Sequence, residues 1–240
     1  MKRLMVFASV LVVLLAMASP AAGQDAGSLT DRAVTNRLAY IQQALDEGES
    51  SANLWWYGWL IGYGAATAGQ LAARSNTGNE ENRQDLVVGA ATTALGAVGQ
   101  LIAPMDAGRL PGRLRAMAGD TSEARRAKLA AAEEFLRRSA ARERLGRSWQ
   151  THALAGAVNL AAGLVVWKHY DRSASDALFT FAVGQLVSEI QIFTQPMKAV
   201  RDLESYERRS DWEQASTNAN SRRTWYVGVA PRAVVVGFSF

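Results

Sequence analysis

The sequence predicts a mainly α protein, a helical bundle of two related three-helix units followed by a C-terminal β-hairpin. Three observations carry this. Four stretches, 54–72, 86–104, 153–167 and 177–197, are apolar and contain one charge between them, Glu189. Two amphipathic stretches, 28–48 and 120–146, each precede a pair of them at helical spacing. The last residues abandon that period and alternate strictly, as strands do. The expected organisation is a leader over 1–23, helical unit 1 over 24–119, helical unit 2 over 120–215, and a linker with hairpin over 216–240.

Residues 1–23 have the form of a secretory signal peptide. Lys2 and Arg3 supply a basic start, 4–17 an apolar run, and Ala21-Ala22-Gly23 a small-residue cleavage site. The mature chain is therefore expected outside the cytoplasm, in the periplasm or at the outer membrane of a bacterial envelope; an uncleaved anchor is the alternative. The chain has no cysteine, which excludes disulfides, thiolate metal sites and a thiol nucleophile.

In 28–48, Ser28 and Asp31 are placed to cap a helix and Gly48 to end it, with Val34, Leu38, Ile41 and Leu45 as its apolar stripe. After a short polar turn comes 54–72, whose aromatics crowd its start. Gly58, Gly62 and Ala66 offer a small-residue face for close helix approach. Residues 74–85 are polar, 86–104 form the next apolar helix, and 105–119 read as irregular because of Gly108, Pro111, Gly112 and Gly119. The helix 120–146 carries Leu129, Ala132, Leu136 and Ala140 in its stripe. Two further apolar helices flank a turn at 171–176. Met197, Val200, Leu203 and Tyr206 then mark an amphipathic helix to about 214.

An internal duplication is expected at an offset of about 91 residues. Residues 37–45 align with 128–136, and Pro104-Met105 lies 92 before Pro196-Met197. The recurring Gly-Gln-Leu triplets prefer an offset of 85 instead, which leaves the register of the last apolar helix open.

The formal charge of +4 is unevenly spread. Residues 106–151 hold 11 basic and 6 acidic groups, whereas 24–105 hold 4 and 8. On an exported protein a nucleic-acid partner is not expected, and anionic lipid headgroups are within reach. The default is a solvated arginine face laced with Glu133, Glu134 and Glu143. If all four apolar helices spanned a bilayer with the mature N-terminus outside, that basic block would lie outside too, against the positive-inside bias. A periplasmic or membrane-surface bundle is the expectation from this, with integral insertion as the alternative.

Gln70, Gln100, Asn159 and Gln185 lie in apolar surroundings, as does Glu189. They are candidates either for interhelical hydrogen bonds that set register or for the lining of a pore. At the C-terminus, Val234, Val236, Phe238 and Phe240 alternate and end on phenylalanine. This end resembles the final strand of bacterial outer-membrane barrels, which implies an edge read during assembly. A barrel from this chain alone is excluded, since the smallest need eight strands. No catalytic fingerprint is present, and His152 and His169 stand 17 residues apart, about 25 Å along one helix. No catalytic residue, metal or cofactor is expected. The expected function is a non-enzymatic, membrane-associated scaffold or assembly component. Its partners would be membrane lipid or an envelope protein, with homo-oligomerisation through the Gly58 face or the hairpin edge. The alternatives are a small helical channel and a lipid-binding module.

Overall fold

The computed structural model describes residues 31–209 and the backbone of 225–230 and 233–238. The chain is mainly helical. Helix α1 runs unbroken from Asp31 to Asn76, 46 residues and about 69 Å. Helix α2 is Glu80–Ile102, and a 3₁₀ turn, Asp106–Gly108, leads into the short α3, Leu110–Arg115. Helices α4 and α5 are Ser122–Gly146 and Trp149–Leu164, the latter continued by a π turn over Val165–His169. Helices α6 and α7 are Ala174–Thr194 and Lys198–Arg208.

The continuity of α1 corrects the expected stop at Gly48. A glycine inside a helix costs only about 1 kcal/mol, and here α7 lies against that point: a Cβ on Gly48 would sit 3.9 Å from Lys198 Cδ. The first two helices of unit 1 are therefore one rod. The corresponding passage in the second half is broken at Arg147 and Ser148, between α4 and α5. The segment 105–119 is not irregular throughout, because Pro111 stands in the first turn of α3, where a missing N–H costs nothing.

The Asn79 side chain accepts from the Asn82 N–H at 3.1 Å to start α2, and the Thr121 side chain does the same for α4 through Ala124 at 3.1 Å; the cap expected from the sequence is Asp120, one residue earlier. Ser173 and Asp176 form a reciprocal capping box at α6. Before it, Asp171 takes a positive φ of 52° and tightens the turn.

The helices sort into two regions. The N-terminal half of α1 packs with α3, α4 and α7 around Val34, Ile41, Leu114, Leu136, Val200 and Leu203, a compact head with a closed core. Arg37, Tyr206 and Glu133 tie α1, α7 and α4 together above it: Arg37 Nε donates to Tyr206 Oη at 2.7 Å, and that hydroxyl donates to Glu133. Burial, then the Glu133 carboxylate, raises the Tyr206 phenol well above its ordinary value. From the head project two helical hairpins, the C-terminal half of α1 with α2, and α5 with α6.

The hairpins are packed on glycine. A Cβ on Gly96 would fall 2.8 Å from the Tyr63 ring, and one on Gly163 2.7 Å from the Ala177 carbonyl oxygen. At Gly58 and Gly62 an added Cβ meets nothing within 4 Å, so among the described residues that face is open.

At the C-terminus the backbone of Trp225–Ala230 pairs antiparallel with Ala233–Phe238, Val234 opposite Val229 and Val236 opposite Val227. The expected leader, the Ser28 cap, the linker, Phe240 and any docking of the hairpin onto the helices fall outside the described residues.

Candidate functional site

The hairpin region reverses the usual arrangement of a helical bundle. Its outward side chains are large and apolar: Ile61 is 67 % exposed, Leu154 68 %, Leu178 65 %, Phe179 72 % and Phe193 64 %. Among the described residues two helices are long and apolar enough to cross a membrane, α2 and the one beginning at Ala174, and only 17 % and 6 % of their most apolar windows are buried. The polar side chains point between the helices instead.

Between α5 and α6 they form one connected track. Asn159 Nδ2 donates to Gln185 Oε1 at 3.2 Å and to Ser188 Oγ at 3.0 Å. Gln185 Nε2 donates to Glu189 Oε1 at 2.6 Å, and Glu189 Oε2 lies 2.8 Å from His152 Nδ1. Helical spacing explains the alignment, because Gln185 and Glu189 are four apart on one face, as are Gly184 and Ser188. Asn159 enters because Gly184 leaves it room.

Between α1 and α2, Thr67 and Thr93 share a hydrogen bond of 2.8 Å and Gln70 Nε2 reaches Thr93 Oγ1 at 3.4 Å, beside Gly89. Gln100 is 3 % exposed; its carbonyl accepts from Trp56 Nε1 at 2.9 Å, while its side-chain nitrogen has no partner among the described residues. The two hairpins meet at both ends. Near the head, Tyr63 Oη donates to Gln191 Oε1 at 2.7 Å, and the indoles of Trp55 and Trp59 both donate to Thr194 Oγ1 at 3.3 Å. At the far turns Arg172 binds Asp85 at 3.0 Å, Asp176 at 3.3 Å and the Glu81 carbonyl at 3.3 Å.

Where head and hairpins join, the end of α4 fastens both passing chains. Arg142 Nη2 donates to the Ala103 carbonyl at 2.7 Å at the end of α2, and Arg147 Nη2 to the Gln195 carbonyl at 2.9 Å just past α6. Glu143, 1 % exposed, accepts from the Val200 N–H at the start of α7. Each charge suits the helix end that it meets. This corrects the expectation that Glu143 belongs to a solvated arginine face. Glu133 likewise turns to Arg37 of α1, and Glu134 alone keeps a local pair, with Arg137 at 3.6 Å.

Of the candidates named from sequence, the structure brings Asn159, Gln185 and Glu189 together, puts Gln70 and Gln100 in the other hairpin, and leaves Gly58 and Gly62 at an open surface. His152, Ser188, Gln191, Tyr63 and the Arg142–Glu143–Arg147 joint were not singled out as partners. A signal existed for some: Tyr63, Thr67 and Gln70 fall at steps of four and three. Among the described residues no group of three His, Asp or Glu side chains is arranged to hold a metal. No family model, curated protein or solved structure matches the chain.

Proposed function

We propose that this protein is a non-enzymatic, membrane-embedded scaffold of the cell envelope, its two helical hairpins set side by side in the bilayer and its α1–α3–α4–α7 head in water. The observation that carries the reading is the reversed burial of the hairpin region. Exposing a large apolar side chain to water forgoes about 1.5–3 kcal/mol, and 21 such side chains stand outward there among the described residues; lipid removes that penalty.

Dimensions agree. From Leu86 to Ile102 and from Ala177 to Thr194 the rods reach roughly 25–27 Å, against a hydrocarbon layer of about 30 Å. Trp55, Trp59 and Trp149 stand at the head end and Trp167 and Tyr170 at the far end, as interfacial aromatics do. The α5–α6 track is bonded within itself from Asn159 to His152, which suits a rigid hairpin better than turnover or an open pore. The two units are read as related copies around an axis running from head to far turns. At one end Ser122 bonds Asp31, at the other Arg172 bonds Glu81, and both pairs are 91 residues apart. Export to the envelope rests on the character of 1–23, and membrane lipid is the first partner. Washing membranes with alkaline carbonate tests insertion: the chain is expected to stay in the pellet, and its release into the wash would end the proposal.

A further inference from the structure

Where the α2 rod ends, its last residues are still apolar and turned outward, Leu101 59 % and Ile102 78 % exposed. The chain that follows is pinned at once. Arg142 takes the Ala103 and Pro104 carbonyls at 2.7 and 3.3 Å, while Met105 and Ala107 close a small core with Ala52 and Trp56. Helix α3 then buries Leu110, Pro111 and Leu114, which leaves Arg109 and Arg113, four residues apart, exposed on its outer side. Both are nevertheless held. The Arg109 guanidinium stands 5.5 Å over the Trp56 ring, and that of Arg113 5.7 Å over Phe135. A ring face supplies no counter-ion and takes up none of the guanidinium N–H groups, which stay in its plane for an oxygen acceptor. Among the described residues neither side chain has an ion pair or a hydrogen bond.

Trp56 sets their depth. Its indole donates to the Gln100 carbonyl, so Arg109 lies level with the last turn of α2, where the outward apolar surface stops. The charge there is unbalanced. Of the acids expected on this arginine face, Glu133 has turned to Arg37 and Glu143 is buried against α7. Glu134 answers Arg137 at 3.6 Å and Asp106 answers Arg138 at 3.5 Å, the Asp106 charge also reaching Arg142. Asp46 and Glu49 are both taken by Arg115. Among the described residues six guanidinium groups thus meet four carboxylates on this side of the joint, and the excess falls on Arg109 and Arg113.

We propose that Arg109 and Arg113 hold the phosphate of an anionic phospholipid in the leaflet on which the head rests. The two guanidinium groups donate to its phosphate oxygens, and Trp56 and Phe135 keep them in place for it. The acyl chains run down the outward face of α2 past Ile102 and Leu101. A headgroup with net negative charge is favoured over a zwitterionic one, because the cations are in excess and the nearby carboxylates already have arginine partners. The inference rests on the membrane-embedded reading above.

The test uses the full chain in mild detergent, with native mass spectrometry after adding phosphatidylglycerol or phosphatidylcholine of the same acyl length. Phosphatidylglycerol is expected to be retained in preference, and the preference to shrink as salt is raised. Arg109→Ala with Arg113→Ala is expected to lower phosphatidylglycerol retention roughly 10- to 30-fold, the share of two surface cations. Helicity and carbonate resistance should not change. Arg32→Ala with Arg126→Ala removes the same charge beside Asp31, about 36 Å along α1 from Trp56, and should leave the preference intact. Equal retention of the two lipids by the wild type overturns the proposal. So does an equal loss in both double variants, which would mean charge acting at long range and not a site. A wild-type dimer that the Arg109 and Arg113 variant converts to monomer also overturns it, assigning this face to a second copy. If that variant loses helicity, Arg113→Gln alone decides: phosphatidylglycerol retention falls by about a factor of five, or the proposal fails. Release of the wild type by carbonate defeats the membrane reading itself, whereas carbonate resistance without a lipid preference defeats this site alone.

Discussion

The Glu143 carboxylate on α4 accepts a hydrogen bond from the Val200 N–H at 3.1 Å and so caps the first turn of α7 from 57 residues away. Burial pushes this carboxyl up to about 7, against the pull of the Val200 and Ala199 N–H groups. The folded chain then holds a proton that the unfolded chain releases near 4.5. Stability from this group is fully present below the unfolded value and is lost as pH rises to about 7, by up to about 3 kcal/mol. Thermal melts of the detergent-solubilised chain should show a midpoint that falls between pH 5 and 8. Glu143→Gln should flatten that slope, and Glu143→Ala should destabilise at every pH, by about 1–3 kcal/mol for the uncapped N–H groups.

Glycines differ by what they face. Gly163→Ala would press a methyl against the Ala177 carbonyl, and Gly96→Ala one against the Tyr63 ring, 2.7 and 2.8 Å away. Each is expected to cost about 1–3 kcal/mol, read as an earlier unfolding midpoint in denaturing micelles by tryptophan fluorescence. Gly58→Ala meets open space and should leave that midpoint level or slightly raised, because alanine favours helix. Equal effects at all three sites would contradict the assigned packing.

Arg172 is a clamp between hairpins, its side chain 11 % exposed among Asp85, Asp176 and Glu81. Those acids are themselves half in water, so Arg172→Ala is expected to cost only about 1 kcal/mol. The loss should shrink in high salt. A double-mutant cycle with Asp85→Ala is expected to return a coupling of a few tenths to about 1 kcal/mol.

The absence of cysteine gives a clean background for labelling. Single cysteines at Arg126 in the head and at Ser75 by the far turn should react with a membrane-impermeant maleimide from opposite sides of sealed vesicles. A cysteine at Phe179 should resist the reagent until detergent is added. Labelling of the first two from the same side would rule out hairpins that cross the bilayer.

Much of the fold was legible in the chain. The stripes Leu129, Ala132, Leu136 and Ala140 of α4 and Val200, Leu203 and Tyr206 of α7 are the buried ones, and the turn before α6 lies within the expected 171–176. These are decided among neighbours a few residues apart. Gly48 misled because its local cost is small and α7, 150 residues on, supplies the contact there. Glu143 misled because its helical neighbours are arginines, whereas its partner is the start of another helix.

By itself the sequence determined where most of the helices lie and that four stretches are apolar on nearly every face, because backbone preference and side-chain period are local properties; it did not place α3 or the passage of α1 through Gly48. Tertiary structure alone decided which way those four turn. It set the Asn159–Gln185–Glu189–His152 track inward, left Ile61, Leu178 and Phe179 outward, and aimed Arg142, Glu143 and Arg147 at three different helix ends. A buried polar group must find a partner wherever the chain returns, and that meeting is fixed by packing across tens of residues.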